Sequence, residues 1–387
     1  MKKIKLTLLL ILFTSIIFSQ NGVIKLAGTI TDINKEPLPY VAISILSKSI
    51  GTSSNDDGGF SLKITKENFE DIITVSTIGF KTVKIKVQDF INQKEKTIIL
   101  EEDVVSLDEI ILINYISFVK DALKNLRKTT YSSGHQLNVL YRRFSTENNV
   151  SRFLVEQYIK IYDRGPTSEV FEEVEIAEDR RSVDYRYVKK KQNFHAVIMT
   201  ARQNTLRKGI SRRDYNWEVL DDTSYDGEEI IVIEGKMKNA ARNWVRLYIG
   251  IDTKAIYKLE KSANNATYIY KKNKEGKLVL SYHNREYKSL EPITPYLRKL
   301  LKLNKNKIEV SYRHEAIVLG VVTARKRIKV SGNIVKGKDI GDYEIPYNAT
   351  FWKNLNLPPD SKFYKKSVKE LESLFGVPIE NQFNAIN

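Results

Sequence analysis

The sequence contains no cysteine among its 387 residues and only four histidines. Without cysteine the chain can form no disulfide and no thiolate centre for catalysis or metal binding. A lipid anchor on a cysteine is excluded as well. A chain of this length can bury a large apolar core without disulfides, so its stability is expected to rest on side-chain burial in two or three domains.

Motifs for catalysis and cofactor binding are also missing. The sequence has no Gly-x-Ser-x-Gly, no Walker loop and no Gly-x-Gly-x-x-Gly, the patterns that place a nucleophile or a phosphate at a strand–helix turn. Paired carboxylates such as Glu172-Glu173 and Glu228-Glu229 are expected to be surface charge. We predict a protein that is not an enzyme and has no cofactor. A hydrolase with a carboxylate-based site in the C-terminal domain is the alternative.

The first residues have the features of a secretory signal peptide. Lysines at positions 2, 3 and 5 precede an apolar run from Leu6 to Phe18, which the small residue Ser19 follows. A membrane-spanning helix needs about 20 apolar residues, so the run favours cleavage after Ser19. No later run is apolar enough to span a bilayer. We therefore predict a signal peptide at residues 1–19 and an exported protein without a transmembrane segment after cleavage.

The net charge of +16 is distributed unevenly. Residues 20–103 contain ten lysines, no arginine and twelve acids, whereas residues 104–387 contain 50 basic and 35 acidic residues. Such a contrast indicates a domain boundary near residue 103.

Residues 20–103 have the pattern of a small β-sandwich. Short β-rich runs alternate with turn signals, and in FKTVKIKV the apolar residues alternate with lysines as in a half-buried strand. The stretch GTSSNDDGGF, residues 51–60, packs acids, amides and glycines as a calcium loop does. With Gly58 at position 6 of an EF-hand loop, Ser53 would be the first ligand and Ile64 would replace the bidentate acid. We therefore predict a hairpin turn over Asn55–Gly59 and no metal site.

Five elements in this region occur in a characteristic order. They are Gly28-Thr29-Ile30-Thr31-Asp32, Pro37-Leu38-Pro39-Tyr40-Val41-Ala42-Ile43, Gly51-Thr52, Asp56-Asp57-Gly58-Gly59-Phe60 and Ser76-Thr77-Ile78-Gly79-Phe80. This order resembles the carboxypeptidase-regulatory-like domain, a transthyretin-like β-sandwich of exported and outer-membrane proteins in Bacteroidetes-type bacteria. The resemblance implies a module that is not itself a peptidase. It also implies a place in the periplasm or at the outer-membrane periphery.

A helix and a second β-rich domain are predicted after this module. Within residues 104–134, apolar residues recur at helical spacing over 114–129 and predict an amphipathic linking helix. Residues 135–387 consist mostly of long alternating strands, typical of a large curved antiparallel sheet, and end in a helical tail near 365–375. The hairpin RLYIGID-TK-AIYKLE is similar to strands of periplasmic lipoprotein-carrier-like domains. That resemblance implies a half-barrel with an acyl-binding hollow. The predicted fold class is thus mainly β.

One histidine–glutamate pair is a candidate metal site. His283 and Glu286 spell H-x-x-E, as in some zinc enzymes. In a strand, residues three apart point to opposite faces, so we expect solvent-facing strand positions and no zinc.

The most basic stretch of the chain spans residues 180–213, which contain eleven cations and a single acid, Asp184. A solvated excursion between strands is the simpler interpretation. The functional one is a patch for an anionic partner: anionic lipid, lipopolysaccharide or the acidic face of a protein. Its cations are Arg180, Arg181, Arg186, Lys189, Lys190, Lys191, Arg202, Arg207, Lys208, Arg212 and Arg213.

Together these features predict a non-enzymatic envelope protein that acts by binding or as a scaffold. Its ligand would be apolar or anionic, or its partner an outer-membrane protein, and nucleic acid is not expected in that compartment. An accessory subunit of an outer-membrane transporter is a further alternative.

Overall fold

The computed structural model describes residues 23–48, 50–103, 114–189, 192–240 and 242–385. The predicted signal peptide lies outside these residues, as do Lys190 and Lys191 of the basic stretch. Within the described ranges no helix is long and apolar enough to cross a membrane.

The N-terminal module consists of two facing sheets. One has the order β4-β1-β7, with β1 antiparallel to β4 and parallel to β7, and the other has the order β3-β2-β5-β6. Ile30, Ile43 and Phe60 lie fully buried between them. The predicted β-sandwich is thereby confirmed. Its elements are β1 Ile24–Asp32, β2 Ala42–Ile45, β3 Ile50–Ser53, β4 Gly59–Ile64, β5 Ile72–Ser76, β6 Val83–Lys86, α1 Val87–Asn92 and β7 Thr97–Leu100.

The GTSSNDDGGF stretch is a turn, but not a hairpin. β3 pairs with β2 in one sheet and β4 pairs with β1 in the other, so the turn carries the chain from sheet to sheet. Asn55 closes the turn, because its Oδ1 accepts hydrogen bonds from the backbone N–H groups of Asp57 and Gly59. Gly58 has a φ of +73°, and a Cβ there would lie 2.4 Å from the carbonyl oxygen of Ile30. Glycine is therefore required at this position.

The C-terminal module is built on one ten-stranded antiparallel sheet. Its order is β10-β9-β8-β17-β16-β15-β14-β13-β12-β11, and the sheet is unclosed, with β10 and β11 at its edges. This confirms the predicted large antiparallel sheet. The strands are β8 His135–Glu147, β9 Val150–Asp163, β10 Glu173–Arg181, β11 Tyr215–Tyr225, β12 Glu228–Met237, β13 Trp244–Gly250, β14 Ile256–Lys261, β15 Ala266–Lys272, β16 Leu278–Pro292 and β17 Lys307–Val322.

The linking helix, α2 Tyr115–Thr129, covers one face of this sheet, which we call the inner face. Asn114 caps the helix, since its side chain accepts a hydrogen bond from the backbone N–H of Ser117 at 3.1 Å. Phe118, Ala122 and Leu126 recur every four residues and are buried against the strands. The apolar spacing thus predicted the helix but only part of its buried face, because Ile116 is 52% exposed.

Short helices complete the cover of both faces. α3 Ile198–Arg202 and α4 Thr205–Lys208 contribute Ala201 and Leu206 to the inner-face core. The opposite, outer face packs against the N-terminal module and the C-terminal helices, through clusters centred on Trp352 and Tyr364. The helices are α5 Pro295–Leu300, which joins β16 to β17, followed by α6 Ala349–Asn354, α7 Lys362–Ser373 and α8 Ile379–Ala385.

Candidate functional site

Several cations of the basic stretch are structural. Arg180 and Arg181 end β10, where alternation sends them to opposite faces of the sheet. Arg180 Nη2 lies 2.6 Å from Glu156 Oε2, and Arg207 Nη2 lies 2.7 Å from Asp163 Oδ2. The expectation of a solvated excursion is wrong for these buried side chains, because they are paired inside the fold. Arg181 and Arg186 are also buried, Arg212 is half-buried, and the exposed members among the described residues are Lys189, Arg202, Lys208 and Arg213.

The H-x-x-E pair is divided by the sheet. His283 is fully buried on the inner face, where its ring stacks on Tyr268 with centroids 4.1 Å apart. Glu286 is half-buried on the outer face and accepts a hydrogen bond from Ser311 Oγ at 2.9 Å. The opposite faces were predicted, but a solvent-facing His283 was wrong, because α2 and its neighbours cover this side. Among the described residues no three His, Cys, Asp or Glu side chains are arranged as metal ligands.

A chain of buried hydrogen bonds runs across the inner face. His195 donates from Nε2 to Gln157 Oε1 at 2.6 Å, and Gln157 donates from Nε2 to Asp179 Oδ1 at 2.7 Å. The backbone N–H of Val197 donates to His195 Nδ1, so the imidazole is neutral. Burial lowers the pKa of His195 to about 3 and raises that of Asp179 to about 7. These groups hold the segment after β10 against the sheet.

A cavity of about 300 Å³ remains at the inner face beside this chain. Arg143 and Arg285 line it, and they are only 2% and 3% exposed. A volume of this size lies at the small end of ligand pockets. The described residues thus leave a small cavity at this face, lined by two cationic side chains and by a mixture of amide, apolar and aromatic ones. The other lining residues are Gln192, Phe194, Met199, Gln203, Asn264, Tyr287 and Tyr312.

The charge around the cavity is unbalanced. Both oxygens of Asp339 accept from Arg143 Nη1 at 2.7 Å. Arg285 donates from Nη2 to the carbonyl oxygen of Ala196 at 3.1 Å, but no carboxylate of the described residues lies within ion-pair distance of it. Among the described residues its Nε has no hydrogen-bond partner, and neither do Nε and Nη2 of Arg143. A buried guanidinium without a counter-ion is costly, and an anion in the cavity would offset that cost.

Sequence reasoning missed these two arginines. A usable signal was present, because Arg142-Arg143 and His283 to Glu286 place charged or polar groups on both faces of their strands. In a sheet covered on both sides, both members of such a pair become buried, as Arg142 and Arg143 are.

A larger cavity of about 590 Å³ separates the N-terminal module from the outer face of the sheet. Lys271 lines it, and burial lowers the pKa of this amine to about 8. Arg246 and Lys258 also line it, but both contact Glu260. Glu260 thus neutralises two of these three cations, and Asp221 is a second acid in the lining.

The two modules are joined by the turn between β3 and β4. Arg313 Nη2 donates to both oxygens of Asp56, at 3.1 and 2.8 Å, and Tyr40 OH donates to Asp56 as well. Asp57 accepts from the backbone N–H of Lys362 at the start of α7. Both carboxylates of the turn therefore bind protein donors of the C-terminal module.

The architecture defines a two-module, mainly β protein in which the larger sheet carries the cationic cavity. The smaller module is a CarboxypepD_reg-like domain: the profile of that family matches residues 26–112. The match confirms the resemblance carried by the five ordered elements. No curated protein matches the whole sequence significantly.

Several solved structures resemble parts of the chain. A domain from Vibrio parahaemolyticus, described as outer-membrane lipoprotein-sorting, has 9% identity and a TM-score of 0.26, over 54% of this chain and 92% of that one. A LolA superfamily protein from Nitrosomonas europaea has 13% identity and a TM-score of 0.18, over 51% and 93%. The MucA/MucB complex of Pseudomonas aeruginosa has 9% identity and a TM-score of 0.19, over 52% and 98%. Superpositions this weak carry no functional conclusion, so function rests on the geometry of the chain itself.

Proposed function

We propose that this is an exported, non-enzymatic binding protein of the bacterial envelope that holds a small anionic ligand in the inner-face cavity. The ligand's carboxylate or phosphate would lie against Arg285, and its apolar part against Phe194 and Met199. The observation that carries the proposal is the buried guanidinium of Arg285, which lines the cavity without a carboxylate partner among the described residues.

The lining favours binding over hydrolysis. No Asp or Glu is among the described residues that line the cavity, so a pair of carboxylates for acid–base chemistry is not available there. Glu228, one of the paired acids considered from the sequence, is 8% exposed and accepts hydrogen bonds from Thr253 and Tyr257. These contacts support a structural role for that acid.

The CarboxypepD_reg-like domain would act as a structural module fastened to the outer face. Its contacts through Asp56 and Asp57 support this role. Export rests on the signal peptide predicted at residues 1–19, and a periplasmic or outer-membrane location on the resemblance of the N-terminal domain. Service as an accessory subunit of an outer-membrane transporter stays a prediction.

Calorimetric titration with phenyl phosphate tests the site, with phenol as the neutral control. We expect Arg285→Gln to weaken phenyl phosphate binding at least tenfold, since a charge-assisted hydrogen bond contributes about 1.5–3 kcal/mol. The matched control is Arg246→Gln, which removes a cation from the outer face, where Glu234 and Glu260 pair with it. Equal binding by the parent and Arg285→Gln would refute the assignment.

Stability separates a binding role of Arg285 from a structural one. In the ligand-free protein, Arg285→Met should leave the free energy of unfolding unchanged or raise it by about 1–3 kcal/mol, because it removes a buried charge without a partner. Chemical denaturation measures this. A loss of 2 kcal/mol or more would mean that Arg285 stabilises the fold, and the cavity would then lose its main support as a site.

A further inference from the structure

The hairpin that joins β16 to β17 exposes apolar side chains at its tip. Leu290 is 65% exposed at the end of β16, and Tyr296 and Leu300 in α5 are 74% and 55% exposed. Tyr296 and Leu300 are four residues apart in the helix and therefore lie on one face. An isolated exposed leucine needs no explanation, whereas a cluster on one short element indicates an interaction surface.

The same tip is strongly basic. Glu291 is the one acid of residues 290–307, and the cations there are Arg298, Lys299, Lys302, Lys305 and Lys307. All five are exposed, and none forms an ion pair with any residue that the structure describes. Their positive charge is therefore not neutralised by the fold. Apolar side chains ringed by such cations are typical of helices that lie in a membrane interface.

The base of the tip is anchored to the protein. Leu297, Leu301 and Leu303 pack against a cluster formed by Ile293 and Ile308 with their neighbours in β17. The helix thus uses one side to hold its place, and its exposed residues belong to the other. The surface is a fixed part of the fold.

We propose that this tip, residues 290–307, docks the protein on an anionic phospholipid bilayer. Tyr296 and Leu300 would enter the interface, while the five cations would contact lipid phosphates. The proposal is independent of the anion cavity, because no residue of the tip lines it. It also differs from the sequence-based hypothesis of a patch over residues 180–213, because some cations of that stretch form ion pairs inside the fold.

Co-sedimentation with vesicles of phosphatidylcholine and phosphatidylglycerol, mixed seven to three, tests the proposal against pure phosphatidylcholine. Each cation near an anionic surface contributes about fivefold in affinity. Replacing Arg298, Lys299 and Lys302 by Gln should therefore weaken binding about a hundredfold. Tyr296→Ser with Leu300→Ser should weaken it tenfold or more, since about two apolar side chains return to water.

The matched control replaces three exposed cations of the basic stretch, Arg202, Lys208 and Arg213, by Gln, and should keep nearly all binding. If this control loses binding and the tip variants keep it, the tip is not the docking surface. If the parent protein does not co-sediment with the anionic vesicles, the proposal is also wrong, even if the tip proves to bind another protein.

The absence of cysteine allows a readout of position that does not depend on affinity. Leu300→Cys creates a unique attachment point for a polarity-sensitive fluorophore, and Arg213→Cys provides the control site. With anionic vesicles the emission from position 300 should shift to the blue, while that from position 213 should not. A blue shift at 213 alone, or at neither position, contradicts insertion of the tip.

Discussion

The contact between Asp56 and Arg313 should stabilise the docking of the two modules by a measurable amount. Both side chains are about three-quarters buried, being 26% and 24% exposed. A hydrogen bond to a charged group contributes about 1.5–3 kcal/mol when it is buried. Arg313 keeps a second partner, because its Nη2 lies 2.6 Å from Glu315. We therefore expect Asp56→Ala to lower the free energy of unfolding by about 2 kcal/mol.

A double-mutant cycle isolates the pair from the other contacts of either residue. Guanidinium denaturation of the parent, Asp56→Ala, Arg313→Met and the double variant should give a coupling energy of about 1–2 kcal/mol. Methionine preserves much of the packing of Arg313 on Phe363, whose ring centroid is 4.3 Å from the guanidinium carbon.

The control cycle uses Lys81 and Glu101 in the same sandwich, which are 58% and 66% exposed. Exposed pairs of this kind couple by about 0.5 kcal/mol or less. If the Asp56 cycle gives no larger value than this control, the turn does not fasten the modules, and the structural role inferred for it fails.

Two further predictions concern buried titratable groups. Burial lowers the pKa of His195 and His283 to about 3 and that of His314 well below its ordinary value, whereas these groups bind protons near pH 6.5 when unfolded. Below about pH 6.5 the unfolded state therefore binds more protons than the folded state. The free energy of unfolding should fall by about 1.4 kcal/mol per pH unit for each histidine as the pH drops from about 6.5 towards 3. Asp179 has the opposite effect, because its pKa is raised to about 7 in the folded protein. It therefore cancels the contribution of about one of the three histidines. Chemical denaturation at pH 6 and pH 5 measures the change in the free energy of unfolding per pH unit. His283→Gln should reduce this change by about 1.4 kcal/mol per unit. An unchanged value would contradict a buried, neutral His283. Because the pKa of Lys271 is lowered to about 8, its rate of acetylation by acetic anhydride should level off above about pH 8 in peptide mass spectrometry, whereas the rate at exposed lysines keeps rising towards about pH 10, and a parallel rise would contradict this.

Local patterns were sufficient for much of the architecture. Alternation predicted most strands, and helical spacing predicted α2, because both periodicities follow directly from backbone geometry. The patterns failed where charge or turn residues interrupted them. Asp221 and Asp222 break the alternation in β11, whereas the run VVTARKRIKV has strand-like apolar residues although β17 ends at Val322. Glu218 and its neighbours in β11 lie at a sheet edge, where polar residues are tolerated on both faces.

The sequence by itself determined that the chain lacks thiol chemistry, that its N-terminal part resembles a regulatory-like β-sandwich and that long antiparallel strands follow. Only the tertiary structure decided which charges are free. Arg180 and Arg285 look alike in the sequence, but one lies opposite Glu156 and the other has no acid within ion-pair distance among the described residues. The partner of a strand residue comes from another strand or from a distant segment, such as the one that brings Asp339 to Arg143. No local pattern contains that pairing, because it depends on how the whole sheet and its covering segments assemble.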